Sequence, residues 1–154
     1  MLRILFFIFL IFPVGKANAL IEVDITRGNL NPLPIAVSPL SIDENSRQSF
    51  KKILKKNNIG SEISKIVENN LKISGLFNPL NKDAFLQAPD IANLKPRFED
   101  WNLIKAQALI TGKVNFVDEK LRVEFRLWDV LAGKEMMALA FTTVPTNWLS
   151  LIHI

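Results

Sequence analysis

The sequence predicts an α/β domain behind a short export leader, with an antiparallel meander as its C-terminal half. Three observations lead there. Leu121 to Val130 (LRVEFRLWDV) alternates apolar and polar residues between two further strand-like runs, the two-residue period of a sheet. Ile59, Ile63, Ile66, Val67 and Leu71 recur at helical spacing. The apolar run Ile4–Val14 (ILFFIFLIFPV) carries no charge and is too short to cross a bilayer, which takes about 20 residues.

That first run reads as the core of a secretory signal. Arg3 precedes it, Pro13 and Gly15 break it, and Ala17-Asn18-Ala19 supplies the small-x-small pattern of a cleavage site. Residues 1–19 are therefore expected to be a signal peptide, cut after Ala19. No second apolar stretch follows that would hold the chain in a membrane. Cleavage removes Arg3 and Lys16 and no acid, leaving 17 basic against 15 acidic side chains. A balance so near neutral does not suggest a nucleic-acid surface. Cysteine is absent, so disulfides, thiolate chemistry and Cys-based metal sites are excluded and the core must hold the fold by itself. The remaining length suits one domain.

Leu20 to Thr26 alternates Ile21, Val23 and Ile25 with Glu22, Asp24 and Thr26, and Arg27-Gly28 stops it. This describes a strand with one wet face, placed where the mature chain would begin. Pro34 to Leu40 (PIAVSPL) reads as a short strand covered on both faces and limited by proline. In the polar stretch Ser41 to Asn58, Lys51, Lys52, Lys55 and Lys56 bracket Ile53 and Leu54. A basic amphipathic helix can bind acidic lipid, but a solvated helix beside the core is favoured, because only Phe50, Ile53 and Leu54 can insert.

Ser61 is expected to cap the next helix, with Glu62 in its first turn, and Gly75 to end it. Leu76 to Leu80 is extended, with Phe77 plugging the core, and Asn81 to Lys95 is a surface connection. Phe98, Trp101 and Ile104 share the stripe of a short helix over 98–106. Ala108 to Phe116, Leu121 to Val130 and Glu135 to Val144 are the three meander strands, turned at Val117–Lys120 and Ala132–Lys134. Met137, Leu139 and Phe141 share one face of the last strand. Trp128 shares the face of Arg122 and Arg126, which is wet or meets another protein if helices cover only the other side. Thr146 or Asn147 caps a final apolar helix, with Trp148, Leu149, Leu151 and Ile152, that is cut short at Ile154.

Chemistry has few candidates. There is no Tyr, and His153 is the lone histidine, so a triad or a zinc site lacks its usual base and ligand. The six glycines form no phosphate-cradling loop. The adjacent pairs Asp43-Glu44, Glu99-Asp100 and Asp118-Glu119 read as helix starts or hairpin turns rather than an acid–base pair. No catalytic residue, metal ligand or cofactor is expected. Trp101, Trp128 and Trp148 more often fill a core than stack on a sugar.

The order LIEVDITRG, PLPIAVSPL, SKIVENNLKISGLFNPLNKDAF, FEDWNLIKAQALITGKV, LRVEFRLWDVLAGKEM and FTTVPTNW resembles the N-terminal domain of the TolB family, from about Ile21 to the last residue. The most specific stretches are NLKISGLFNPL, the run from Trp101 to Val114, and RLWDV. The lysine-rich KKILKKNN departs from the family pattern as a basic insertion. The resemblance implies a mixed sheet with helices packed on it, an export signal, periplasmic location, no catalysis, and a C-terminal six-bladed propeller missing from this chain. It further implies work in the Tol-Pal envelope system in outer-membrane integrity and cell division. In that family the propeller docks the lipoprotein Pal and the mature N-terminus binds the C-terminal domain of TolA. The matching partner-binding positions are Leu20, Ile21, Glu22, Val23, Asp24, Ile25, Thr26, Arg27 and Gly28. Residues 29–154 would form the α/β domain. A segment of this kind can pair with a partner's sheet edge, Val23 and Ile25 giving apolar contact and Glu22 and Asp24 steering toward a basic surface; it works as a switch if it can also fold back on its own domain. The alternative is a periplasmic module that binds a small ligand or glycan through exposed tryptophans.

Overall fold

Residues 31–55 and 57–151 are described by the computed structural model. The leader, the segment Leu20–Gly28, Lys56 and His153 lie outside the described residues. The elements run β1 (Leu33–Val37), β2 (Ser41–Ile42), α1 (Glu44–Leu54), α2 (Ile59–Ile73), β3 (Phe77–Pro79), a 3-10 turn (Lys82–Ala84), α3 (Pro89–Leu94), α4 (Phe98–Leu103), β4 (Ala108–Val117), β5 (Lys120–Asp129), β6 (Lys134–Thr143) and a 3-10 segment (Pro145–Leu151).

The strands form one mixed sheet in the order β3-β1-β4-β5-β6, with β2 also on β4. β1 lies parallel to both β3 and β4, and β2 parallel to β4. β4, β5 and β6 are the antiparallel meander expected from their alternation. Asp118 and Glu119 both have positive φ (48° and 58°) at the β4–β5 turn, the backbone of a two-residue hairpin whose twist matches the strands.

Alternation along the strands divides the apolar residues between two cores, one on each face. On one face Leu40, Phe50, Ile59, Ile63, Val114, Leu121, Val123 and Trp148 pack together, joining α1, α2 and the final 3-10 segment to β4 and β5. On the other, Ala36, Trp101, Ala106, Leu109, Trp128 and Val130 form a second cluster under α4. β1 serves both, so Ile35, Ala36 and Val37 are all buried.

Two hydroxyls and a glycine lock the first layer to the sheet. Asp43 caps α1 by accepting from the Ser46 amide at 2.9 Å, and the Ser46 hydroxyl donates to Asp43 at 2.6 Å while accepting from the Phe116 amide of β4 at 2.7 Å. Ser64 of α2 accepts from the Leu40 amide at 3.0 Å, and its Oγ also lies 3.0 Å from the Ser38 carbonyl and 2.9 Å from that of Gly60. Gly60 touches the Leu40 backbone so closely that a Cβ there would fall on the Leu40 carbonyl.

Several expectations need correction. Ser61 does not cap α2: the helix begins three residues earlier than that cap implies, with Asn58 at the N-cap, because Ile59 must be inside the core and Gly60 against Leu40. Pro89 does not lie in an irregular surface connection but starts α3, where its missing N–H costs nothing. Phe77 is half-buried at the sheet edge rather than plugging the core. The final segment is a 3-10 run with Trp148 buried, not a longer apolar helix.

Gly60→Ala is expected to lower stability by roughly 1–3 kcal/mol, the range for overpacking, read as a fall in the urea midpoint. Glu119→Gly relieves a left-handed non-glycine residue and should raise stability by about 1 kcal/mol in the same titration.

Candidate protein-interaction site

The segment assigned to partner binding, Leu20–Gly28, lies outside the described residues; the domain that follows it is described over residues 31–55 and 57–151. There, the residues weighed for chemistry prove to have structural roles. Trp101 is buried, donates its indole N–H to Gln87 Oε1 at 2.6 Å and meets Phe85 edge-on at 5.0 Å. Trp128 donates to Thr111 Oγ1 at 2.8 Å and packs against Phe98 at 5.9 Å. It does share the face of Arg122 and Arg126, but α4 covers that end of the face. Trp148 lies in the first core. None of the three presents a ring to solvent for stacking on a sugar, which removes the feature on which the glycan-binding alternative depends.

The carboxylate pairs are equally committed. Asp43 caps α1 and Glu44 pairs with Arg47 at 3.4 Å. Asp100 binds Arg97 at 2.7 Å in the first turn of α4, and Asp118-Glu119 makes the hairpin turn. Hydrogen bonds from the Ser46 hydroxyl and then its amide hold the Asp43 carboxyl below its ordinary value of 3.8, against a smaller opposing effect of burial. Glu124 is also lowered: burial opposes ionisation, but the Arg122 hydrogen bond at 2.9 Å and the Lys113 ammonium at 3.5 Å outweigh it. A cleft of about 430 Å³ lies between the start of α1 and α3, lined by Ile42 and Leu94 together with Asp43, Asp90, Asn93, Lys113 and Asn115. Among the described residues no group of three His, Cys, Asp or Glu side chains is placed to hold a metal ion.

Lys51 and Lys52 are exposed in the last turn of α1 and Lys55 is its exposed C-cap, with Phe50 as the buried anchor. Ile53 beside them is 48% exposed.

One surface was missed by sequence reasoning. The alternation of Met137, Leu139 and Phe141 is correct, but among the described residues no helix covers that corner of the first face. Met137 is 51% and Leu139 48% exposed, and an apolar groove of about 240 Å³ runs between Val67 of α2 and Ile110, Phe125, Leu127, Met137 and Leu139 of the sheet. Periodicity assigns residues to a face; it does not tell how far a second layer extends over it. The one signal that could have found it is a matter of supply, since α1 and α2 are too few to roof five strands.

Comparison with known proteins gives a consistent picture. The profile of the TolB amino-terminal domain matches residues 21–136. The Tol-Pal system protein TolB of Pelagibacter ubique (strain HTCC1062) is 78% identical over 154 residues, covering all of this chain and 34% of that protein. The chain thus spans about a third of that relative's length. Among solved structures, TolB from Acinetobacter baumannii aligns over 79% of this chain and 26% of its own, with 18% identity and a TM-score of 0.59. The C-terminal domain of LpoB from Escherichia coli aligns over 76% of this chain and 86% of its own, with 12% identity and a TM-score of 0.52. These structural likenesses concern the fold.

Asp43→Ala should cost about 1 kcal/mol at neutral pH, the usual effect of losing an N-cap. Because folding lowers this carboxyl, its contribution is complete above the unfolded pKa and is lost as pH falls below about 3.8. The stability gap between the native chain and Asp43→Ala, measured by urea unfolding at stepped pH, should therefore narrow below that value.

Proposed function

The chain belongs to the TolB amino-terminal domain family, and from that premise we propose that it is a non-catalytic periplasmic adaptor whose mature N-terminus, Leu20–Gly28, binds the C-terminal domain of TolA. Family membership carries this reading, together with the residue pattern at the start of the matched region. The match opens at residue 21, just past the expected cleavage after Ala19, and the residues there alternate apolar and acidic side chains. Such a segment can join a partner's sheet edge through backbone hydrogen bonds while Val23 and Ile25 give apolar contact and Glu22 and Asp24 favour a basic surface. Docking of Pal belongs to a propeller that would come after this domain in the longer family members. The resulting role is mechanical linkage within the Tol-Pal system, supporting outer-membrane integrity and envelope constriction during division.

A binding rather than catalytic role is supported by the chemistry of the domain. Its tryptophans are buried, and Asp43, Glu44, Asp100 and Glu124 are held in a cap or in ion pairs. Export to the periplasm is supported by the leader-like run Ile4–Val14. Among the described residues no helix is long and apolar enough to cross a membrane.

Titration with the soluble C-terminal domain of TolA tests the proposal. Val23→Asp places a charge in the apolar contact and should weaken binding at least tenfold, about 1.4 kcal/mol, with no change in the melting temperature of the domain. Equal affinity for the two proteins would overturn the role given to this segment.

A further inference from the structure

The two edges of the sheet are built differently. β3, at one end, is three residues long and closes on Pro79; short length and proline are the usual protections of an edge. β6, at the other, is ten residues long and is bonded to β5 on one side. Lys134, Glu135 and a register shift opposite Leu127/Trp128 protect only its start. From Met137 to Thr143 (MALAFTT) it carries neither charge nor proline, and among the described residues nothing pairs with its outer side.

We propose that β6 is an acceptor edge for an extended peptide segment of a partner protein, one with an acidic residue between two apolar ones. This surface is built from residues other than Leu20–Gly28, and the inference does not depend on TolA binding. A strand added about 4.8 Å from β6 places side chains opposite those of β6, alternately on the two faces. Residues opposite Met137 and Leu139 fall on the face of the open groove, whose lining is apolar, and extend its wall. The residue between them lies opposite Ala138 on the other face. Ala138 is itself paired with Arg126 of β5. A methyl group is all that stands between the incoming side chain and that arginine.

Arg126 is held by one long ion pair and can turn toward a second carboxylate. It is 38% exposed, and its guanidinium lies a loose 3.7 Å from Glu135. Two strand spacings, about 10 Å between backbones, are within the combined reach of an arginine and a glutamate across an alanine. The charge preference is specific to this position: one pair further along, Ala140 faces Glu124, whose charge is already matched by Lys113 and Arg122. The apolar–acidic–apolar order therefore has one favoured register.

The test is fluorescence anisotropy of labelled peptides VTVEVTV and VTVKVTV with the full-length exported protein. The glutamate peptide should bind at least tenfold more tightly than the lysine peptide. Leu139→Asp should weaken binding at least tenfold, Arg126→Glu should reverse the preference, and Asn78→Asp on the β3 edge should change nothing. Circular dichroism of each variant separates loss of binding from loss of fold, and the reversal by Arg126→Glu cannot arise from unfolding. Equal affinity for the two peptides would overturn the proposal. So would amide-exchange protection of the outer side of β6 without peptide, since the edge would then be covered by the protein's own chain.

Discussion

The architecture depends on one close backbone approach, between Leu40 after β1 and the first turn of α2. The Leu40 amide is bonded to Ser64 Oγ at 3.0 Å, and Gly60 leaves no room for a side chain between helix and strand. This contact fixes where α2 begins, which in turn places Ile59 and Ile63 in the core. It also anchors the link between β1 and β2, so that both strands can lie parallel to β4. A buried hydroxyl serves here better than an apolar residue, because without it the Leu40 amide keeps only its longer bond, 3.4 Å, to the Gly60 carbonyl, and poorly paired amides at that depth are costly. Asp43 and Ser46 repeat the device at the start of α1, tying a helix terminus to the Phe116 amide. Both helices of the layer are thus positioned at their N-termini by polar contacts and held along their length by apolar ones.

Much of this is legible in the sequence wherever the cause is local. Gly75, with φ of 72°, ends α2 as its sequence position suggests, and the strict alternation of Leu121 to Leu127 marks β5. The hairpin length of Val117–Lys120 sets the meander. What cannot be read is non-local. Nothing near Ile35 says that it will lie beside Ala108 in parallel register. Trp128 shares the arginine face as alternation requires, and only the position of α4 makes that end of the face dry. Ser61 has the right chemistry for a cap and loses to the packing demands of its two predecessors.

Of the proposed interaction surfaces, the alternation of Ile21, Val23 and Ile25 is visible from the residues, but the partner proposed for it comes only from family membership. The open corner beside β6 is the opposite case. Its apolar residues stand out in the sequence while their exposure does not, since burial depends on whether another layer reaches them. The cleft between the start of α1 and α3 shows the same limit from the other side, as its lining comes from three separate segments.

The pairing of β1 with β4 has a consequence for the order of assembly. Its residues meet across more than seventy positions of chain, Ile35 with Ala108, whereas β4, β5 and β6 pair with immediate neighbours. Contacts of such long span form late and slow folding. A nascent polypeptide emerging only as far as Leu103 holds both long helices and yet has no platform on which to lay them. The last third of the domain is therefore its template, and the two helices wait on those strands for the surface against which they pack.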